Sequence, residues 1–172
     1  VSWPEEPGQV PIFYAQRPTG RPTGSDPHFS SRYIDQPAEP LFPFGHGLGT
    51  TRFAWGDIRA TPVDATPDDM IRVEIDIVNE GERPGETVAF LFIRDRVASV
   101  ARPVLELRGF TRIALGPGES EIARFELPAA ALAFPGTPPD FPPLLEPGEF
   151  EILVGPAADR TLLRATVIRL VA

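Results

Sequence analysis

The alternation of Ile71, Val73, Ile75 and Ile77 with Arg72, Glu74 and Asp76 constrains this chain more than any other feature. Side chains of a strand point to opposite faces at a period of two, so this run predicts a strand with one wet face and one buried face. Comparable runs recur downstream. Phe53, Trp55 and Ile58 open the first, and Thr87 to Ile93, Leu107 to Leu115, Ile122 to Leu127, Phe150 to Val154 and Leu163 to Leu170 supply the rest. About seven strands with turn punctuation between them predict a mainly β chain with an immunoglobulin-like sandwich. Three turns share one device: Pro84-Gly85-Glu86, Pro117-Gly118-Glu119 and Pro147-Gly148-Glu149. Proline presets φ and glycine accepts φ > 0, which predicts three type II turns. Pro128-Ala129-Ala130-Ala131-Leu132 predicts one helical turn with proline at its first position, and Phe134 to Pro143, with its five prolines, predicts a loop.

The strand pattern starts only at Thr51. Residues 1–50 carry 9 of the 22 prolines and 6 of the 15 glycines. Within them only Gln9-Val10-Pro11-Ile12-Phe13-Tyr14 reads as a buried strand, and Pro11 restricts it to a sheet edge or a strand start. A structureless stretch of this length is uncommon in a self-contained domain. Residues 1–50 are therefore expected to be the last strand and wrapping tail of another domain, and residues 51–172 the sandwich. The join is Glu39 to Phe53. Pro40 and Pro43 stiffen it, Phe42 and Phe44 offer apolar anchors, and Gly45, Gly47 and Gly49 permit φ > 0 or close approach to another surface. It reads as an ordered connector pinned against a larger body.

One strand breaks the alternation. In Val88-Ala89-Phe90-Leu91-Phe92-Ile93 both faces are apolar. Ala89, Leu91 and Ile93 are expected to face the core, which turns Val88, Phe90 and Phe92 outward. Covering each ring is worth about 1.5–3 kcal/mol. Two covers are open at this stage: one of the chain's own loops, or residues upstream of Val1. Val1 is not a start methionine and no charged-then-apolar export signal follows it, so the expectation is a mature product or a piece of a longer chain.

Composition excludes several classes. The net charge of −8 and pI near 4.8 argue against a nucleic-acid partner, which needs clustered positive charge. All 16 basic residues are arginine, a mark of genome composition rather than of function. There is no cysteine, so neither a disulfide framework nor a thiolate metal site can form. No run approaches 18 apolar residues, which excludes a helical membrane span. Asn79 is followed by Glu-Gly and is no glycosylation acceptor.

Candidate chemistry is sparse. Glu5-Glu6 and Asp68-Asp69 are adjacent carboxylate pairs in polar, proline-containing stretches and read as solvated turn charges. Glu119, Glu121, Glu149 and Glu151 flank turns or alternate on strands, as a solvent face would. His28 and His46 fit no metal spacing. His28 lies near Asp26, Ser30 and Ser31, yet no strand–turn–helix setting prepares a nucleophile there. The glycines around His46 and those of Gly20 to Gly24 neither follow a strand nor open a helix, so they are not phosphate loops. Arg94, Asp95, Arg102 and Glu106 read as a salt-linked interdomain surface that positions rather than reacts.

Motifs spread over nearly the whole chain carry a resemblance. Pro43-Phe44-Gly45-His46-Gly47-Leu48 with Thr50-Thr51 and Phe53 resembles the "PFGYGLSYTTF" signature of glycoside hydrolase family 3, departing at His46 and Gly49. Gln9 to Tyr14, Thr19-Gly20-Arg21-Pro22 and Ser30 to Asp35 are similar to that family's "GQIPIYY", "TGRP" and "TSRYLD". Ile93-Arg94-Asp95, Ser99-Val100 with Arg102 to Phe110, and Glu146 to Phe150 with Val154-Gly155 are similar to "YIRD", "SVTRPVKELKGF" and "EPGEFEVMVG". The resemblance implies a fibronectin type III-like sandwich preceded by an extended tail from an α/β sandwich domain. It implies the C-terminal structural portion of a retaining β-glucosidase or β-xylosidase, working on β-glucosides or oligosaccharides without cofactor or metal. Its partners would be the N-terminal catalytic domains of the same enzyme, its location periplasmic or secreted with a cytoplasmic one left open.

Family 3 enzymes take their catalytic Asp and Glu from upstream domains. No position here matches either motif, so no catalytic residue is assigned. Arg21, Arg32 and Tyr33 are the candidates for sugar contact, since an arginine fork and a tyrosine hydroxyl both bond sugar hydroxyls. The competing reading has them tie the tail down through backbone carbonyls and Asp35. Phe42, Phe44, Phe90 and Phe92 are the expected interdomain docking residues. The rival function is a non-catalytic carbohydrate- or protein-binding module, against which Trp3, Trp55, Tyr14 and Tyr33 form no row on any strand. A third reading is one part of a cleaved enzyme still assembled with the other.

Overall fold

The computed structural model describes residues 1–18, 35–136 and 138–172. The strands among them, in chain order, are β1 (Phe53–Thr61), β2 (Asp64–Ala65), β3 (Met70–Asn79), β4 (Gly85–Asp95), β5 (Glu106–Leu115), β6 (Ser120–Pro128), β7 (Phe134–Pro135), β8 (Pro143–Leu144), β9 (Gly148–Gly155) and β10 (Arg164–Leu170). The seven long ones are the seven read from periodicity. The three two-residue pieces are too short to leave a period. β2 runs parallel to β10, and β7 pairs with β8 inside the proline-rich segment read as a loop.

Two sheets face each other. One has the order β1-β3-β6, the other β2-β10-β9-β4-β5. β3 is central to the first and paired antiparallel on both sides, with Ile75 opposite Ile58 and Ala123. Ile71, Val73, Ile75 and Ile77 point inward and are fully buried. They meet Ala89, Leu91 and Ile93 of β4, Phe150 and Ile152 of β9 and Ile168 of β10 in one core. Asn79 closes this core at the end of β3. Its amide donates to the carbonyls of Arg83 at 2.7 Å and Leu115 at 3.0 Å, and its Oδ1 accepts from Thr51 Oγ1 at 2.6 Å and Gly81 N at 3.0 Å. Both ends of this fully buried side chain are thus partnered, as burial without cost requires.

The outer face of β4 is covered from within the chain. Phe92 is fully buried in a second cluster with Leu105, Leu153 and Leu163, against which Tyr14, Phe44 and Phe90 pack. Ring centroids lie 4.9 Å apart for Tyr14–Phe44, 5.6 Å for Tyr14–Phe92 and 5.2 Å for Phe44–Phe90. The tail is thereby a third layer on the sandwich. Backbone bonds fix it in place: Ala158 N–H donates to Phe44 O at 2.8 Å and Val104 N–H to Gln16 O at 2.9 Å. Gly45 makes the approach possible. Its φ is +87°, and a Cβ there would lie 2.7 Å from Phe90 Cε2 and 3.0 Å from the Pro156 carbonyl.

The structure departs from the sequence reading in three further places. Gln9 to Tyr14 is not a strand: Pro7–Gln9 forms a 3-10 turn, Val10 and Phe13 are exposed, and Gln9 is buried. Pro11 has no N–H for a ladder, and among the described residues the tail's strand-like contact is the bridge between Trp3 and Phe42, whose amides exchange bonds of 2.7 and 3.2 Å. Of the three Pro-Gly-Glu turns only Gly118, at φ +74°, is left-handed. Gly85 and Gly148 instead open β4 and β9, and a Cβ on Gly85 would meet Thr51 Cγ2 at 2.5 Å. The turn at Ala129–Leu132 is 3-10, with Pro128 as its N-cap rather than its first residue.

Two substitutions test the third layer. Phe92→Ala is expected to cost about 3–5 kcal/mol in urea unfolding, as a core ring does. Gly45→Ala is expected to lower the melting temperature because it meets both a strained φ and a clash, at about 1–3 kcal/mol. Gly47→Ala, where a Cβ would meet nothing within 4 Å, is the neutral control.

Candidate functional site

The tail meets the sandwich in a cleft of about 320 Å³, lined among others by Phe13, Tyr14, Gln16, Glu39, Leu105 and Arg160. Gln9 sets the tail's side of it. Its Oε1 accepts from the amides of Glu5 at 2.6 Å and Glu6 at 3.2 Å, and its Nε2 donates to the carbonyls of Pro37 at 2.9 Å and Glu39 at 3.3 Å. One side chain thus ties the start of the tail to the entry of the connector, across residues 10–36. The sequence reading places Gln9 only at the start of an expected strand; its four partners are what identify its role.

The sugar-contact candidates Arg21, Arg32 and Tyr33, and His28 with them, lie outside the described residues. Phe44, Phe90 and Phe92 come together in the cluster on β4. Phe42 does not join it. That ring is half-exposed and lies 4.6 Å from the His46 ring. His46 is therefore a surface partner of Phe42, and its N–H caps the connector by donating to Pro43 O at 3.0 Å.

Asp95, Arg102 and Glu106 are brought together, buried within this chain rather than on its surface, while Arg94 pairs with Glu151 instead. Arg102 is 5% exposed and sits inside the end of the sandwich. Its Nη1 lies 3.1 Å from Asp95 Oδ2 and donates to Leu132 O at 2.9 Å, while Nε donates to Glu106 Oε1 at 3.0 Å. The guanidinium lies 5.1 Å from the Phe134 ring centroid and 5.9 Å from that of Phe150. Burying this charge is tolerable only because carboxylates on two sides and a carbonyl receive it. The arrangement binds the ends of β4 and β5 to the 3-10 turn before β7.

Glu151 also departs from expectation. Rather than facing solvent, its carboxylate is 13% exposed and has Arg94 Nη1 at 3.2 Å, Arg96 Nε at 3.6 Å and Arg160 Nη2 at 3.7 Å. Strand alternation places Glu151 on the outer face of β9, but does not show that Arg94, its cross-strand partner on β4, and the loop residues Arg96 and Arg160 converge on it.

Of the other carboxylates, some pair with arginines across the strands and some accept hydrogen bonds from backbone amides. The N–H groups of Glu5 and Glu6 are the ones Gln9 binds, and both residues are exposed. Asp69 accepts from Thr66 N at 2.7 Å and Thr66 Oγ1 at 2.8 Å, which holds its carboxyl below the usual range. Glu146 is lowered likewise by hydrogen bonds from the Ser99 hydroxyl and N–H. Among the described residues no group of three or more His, Asp or Glu side chains is arranged to hold a metal, and no helix is long and apolar enough to cross a membrane.

Comparison with known proteins gives this arrangement a setting. The fibronectin type III-like domain family matches residues 87–158. A periplasmic β-glucosidase of Salmonella typhimurium is 34% identical over 157 residues, 90% of this chain and 20% of that protein. A β-xylosidase of Formosa agariphila is 35% identical over 155 residues, again 90% of this chain and 20% of that protein. The solved structure of a β-glucosidase from Erythrobacter marinus superposes with a TM-score of 0.88 at 38% identity, covering 99% of this chain and 21% of that one. One from Listeria innocua, in complex with glucose, gives 0.86 at 29% identity, covering 99% and 24%. The chain spans about a fifth of the length of the relatives it matches.

Because their folded-state pKa values are depressed, Asp69 and Glu146 add stability at neutral pH that is lost as pH falls through those values. The melting temperature is expected to hold from neutrality down to the ordinary carboxylate range near about pH 4 and to decline below it. In an Asp69→Asn, Glu146→Gln double variant, calorimetry should find a lower plateau and a shallower acid decline.

Proposed function

This chain belongs to glycoside hydrolase family 3, as its C-terminal portion with the fibronectin type III-like domain, and from that premise we propose that it braces the catalytic domains of a retaining β-glycosidase of the β-glucosidase type. The observation that carries the reading is the match of 90% of this chain to a fifth of a β-glucosidase. Retaining hydrolysis needs two carboxylates about 5–5.5 Å apart, one as nucleophile and one as acid and base. In this reading both come from the N-terminal catalytic domains, and no cofactor is involved.

The residues here have mechanical roles. Residues 1–50 are the closing segment and tail of the preceding α/β domain, and residues 51–172 the fibronectin type III-like domain. Phe44, Phe90 and Phe92 lock the one onto the other, which supports a rigid rather than a hinged junction. Phe42, half-exposed beside Trp3, faces the catalytic domains. Arg21, Arg32 and Tyr33 border the substrate cleft and contact sugar hydroxyls there. The substrate is a β-glucoside or a related oligosaccharide. The periplasmic relative supports export of the whole enzyme.

The isolated 172 residues are expected to release no nitrophenol from a nitrophenyl β-glucoside above the buffer rate. Turnover above background would sink the proposal. Retention on insoluble glucan in a pull-down would move the assignment to the binding-module class.

A further inference from the structure

Among the described residues, Glu151 is the one carboxylate shared by three arginines. Three guanidiniums lie within 4 Å of its carboxylate, and one negative charge faces three positive ones. The neighbouring acids are otherwise engaged. Asp95 takes Arg102 at 3.1 Å and the Val97 amide at 3.1 Å. Asp159 takes the Thr161 amide at 2.9 Å and hydroxyl at 2.7 Å. Glu149 lies 3.8 Å from Arg169, and Glu146 accepts from Ser99 N at 3.0 Å. Among the described residues, no second carboxylate lies within 4 Å of Arg94, Arg96 or Arg160.

Like charges this close repel, more strongly where solvent is partly excluded. Glu151 is 13% exposed, so the centre of the cluster is mostly desolvated, whereas Arg96 and Arg160 keep about half their surface open, at 55% and 49%. The inner side of the cluster is therefore screened by Glu151, and its outer side presents guanidinium N–H groups to an arriving ligand. Planar guanidiniums bind a carboxylate through paired hydrogen bonds, in a way a solvated ammonium does not. Arg160 also lines the cleft between tail and sandwich, which gives the cluster a concave approach.

We propose that Arg94, Arg96 and Arg160, held by Glu151, form a carboxylate-binding site at the mouth of that cleft. The carboxylate belongs either to an acidic side chain of a polypeptide that packs there or to a free acid such as a uronate. Glu151 is the positioning residue: it gathers the three arginines and also competes with the ligand for them.

The test is a titration of the 172-residue protein at constant ionic strength, followed through the arginine Nε–Hε resonances. The probes are sodium acetate, sodium glucuronate and an Asp-Gly-Glu peptide, with glucose as the neutral control. Saturable shifts of Arg96 and Arg160 with the carboxylates and none with glucose are expected. Arg160→Gln should weaken acetate binding about tenfold, the loss of one charge-assisted contact. Glu151→Gln should strengthen it, because the internal competitor is gone while the arginines remain. Binding of the peptide at least about tenfold tighter than glucuronate assigns the ligand to a polypeptide, and the reverse order assigns it to a free acid. Shifts that grow linearly without saturation, or that survive unchanged in Arg160→Gln, overturn the site. If Glu151→Gln unfolds, Arg96→Gln provides the second variant, with the same tenfold loss expected.

Discussion

Covering the outer face of β4 is the constraint on which this structure depends. A strand with apolar side chains on both faces cannot sit at the surface of a two-layer sandwich without exposing rings worth about 1.5–3 kcal/mol each. Here Tyr14 and Phe44 close over Phe90 and Phe92, and Leu105, Leu153 and Leu163 complete the enclosure. The tail cannot then be a free linker. Its course is set by where the aromatic side chains must go, and Gly45 is the position at which the backbone passes close enough to let them. The sandwich and its tail form one packed unit of three layers.

Buried polar side chains lock what the apolar ones assemble. Asn79, Gln9 and Arg102 each sit where chain segments distant in sequence converge; Asn79 and Gln9 have hydrogen-bond partners at both polar ends, and Arg102 at Nε and Nη1. Hydrophobic burial is non-directional and would tolerate small shifts of one layer over another. A buried amide with four partners would not, because losing any of them leaves a desolvated donor or acceptor. Asn79 fixes the turn after β3 against β5, Gln9 fixes the tail's two ends to each other, and Arg102 fixes the far end of the sandwich. Such a frame suits a part whose proposed task is to hold other domains in place.

The charges divide into two kinds. Those on the solvent faces of the strands form exposed pairs such as Arg59–Asp76 at 2.7 Å and Arg124–Glu74 at 3.1 Å, which contribute little each. Those at the end of the sandwich are more deeply buried. Around Arg102 two carboxylates, Asp95 and Glu106, meet Arg102 and Arg108, and around Glu151 three cations meet one carboxylate. Both sites draw on the end of β4 and the residues that follow it.

The sequence by itself determined the seven long strands, their inward residues and the two-faced character of β4, because a period of two survives in any context. It also determined, through its motifs, the family. Only the tertiary structure decided what covers Phe90 and Phe92, since a face's apolarity does not say which segment will reach it. Gln9 to Tyr14 read as a strand and is not one, because a strand needs a neighbour and the sequence cannot show whether one is alongside. Gly85 and Gly148 read as turn residues and are strand starts, because the same dipeptide serves a left-handed turn or the opening of a strand, at Gly85 with Thr51 packed close against it. Gln9, Asn79 and Glu151 gave no signal of the roles they take: Gln9 reads as the start of a strand and Glu151 as a solvent-face charge. What makes them matter is the convergence of groups far apart in the chain, and that is a property of the fold rather than of any local pattern.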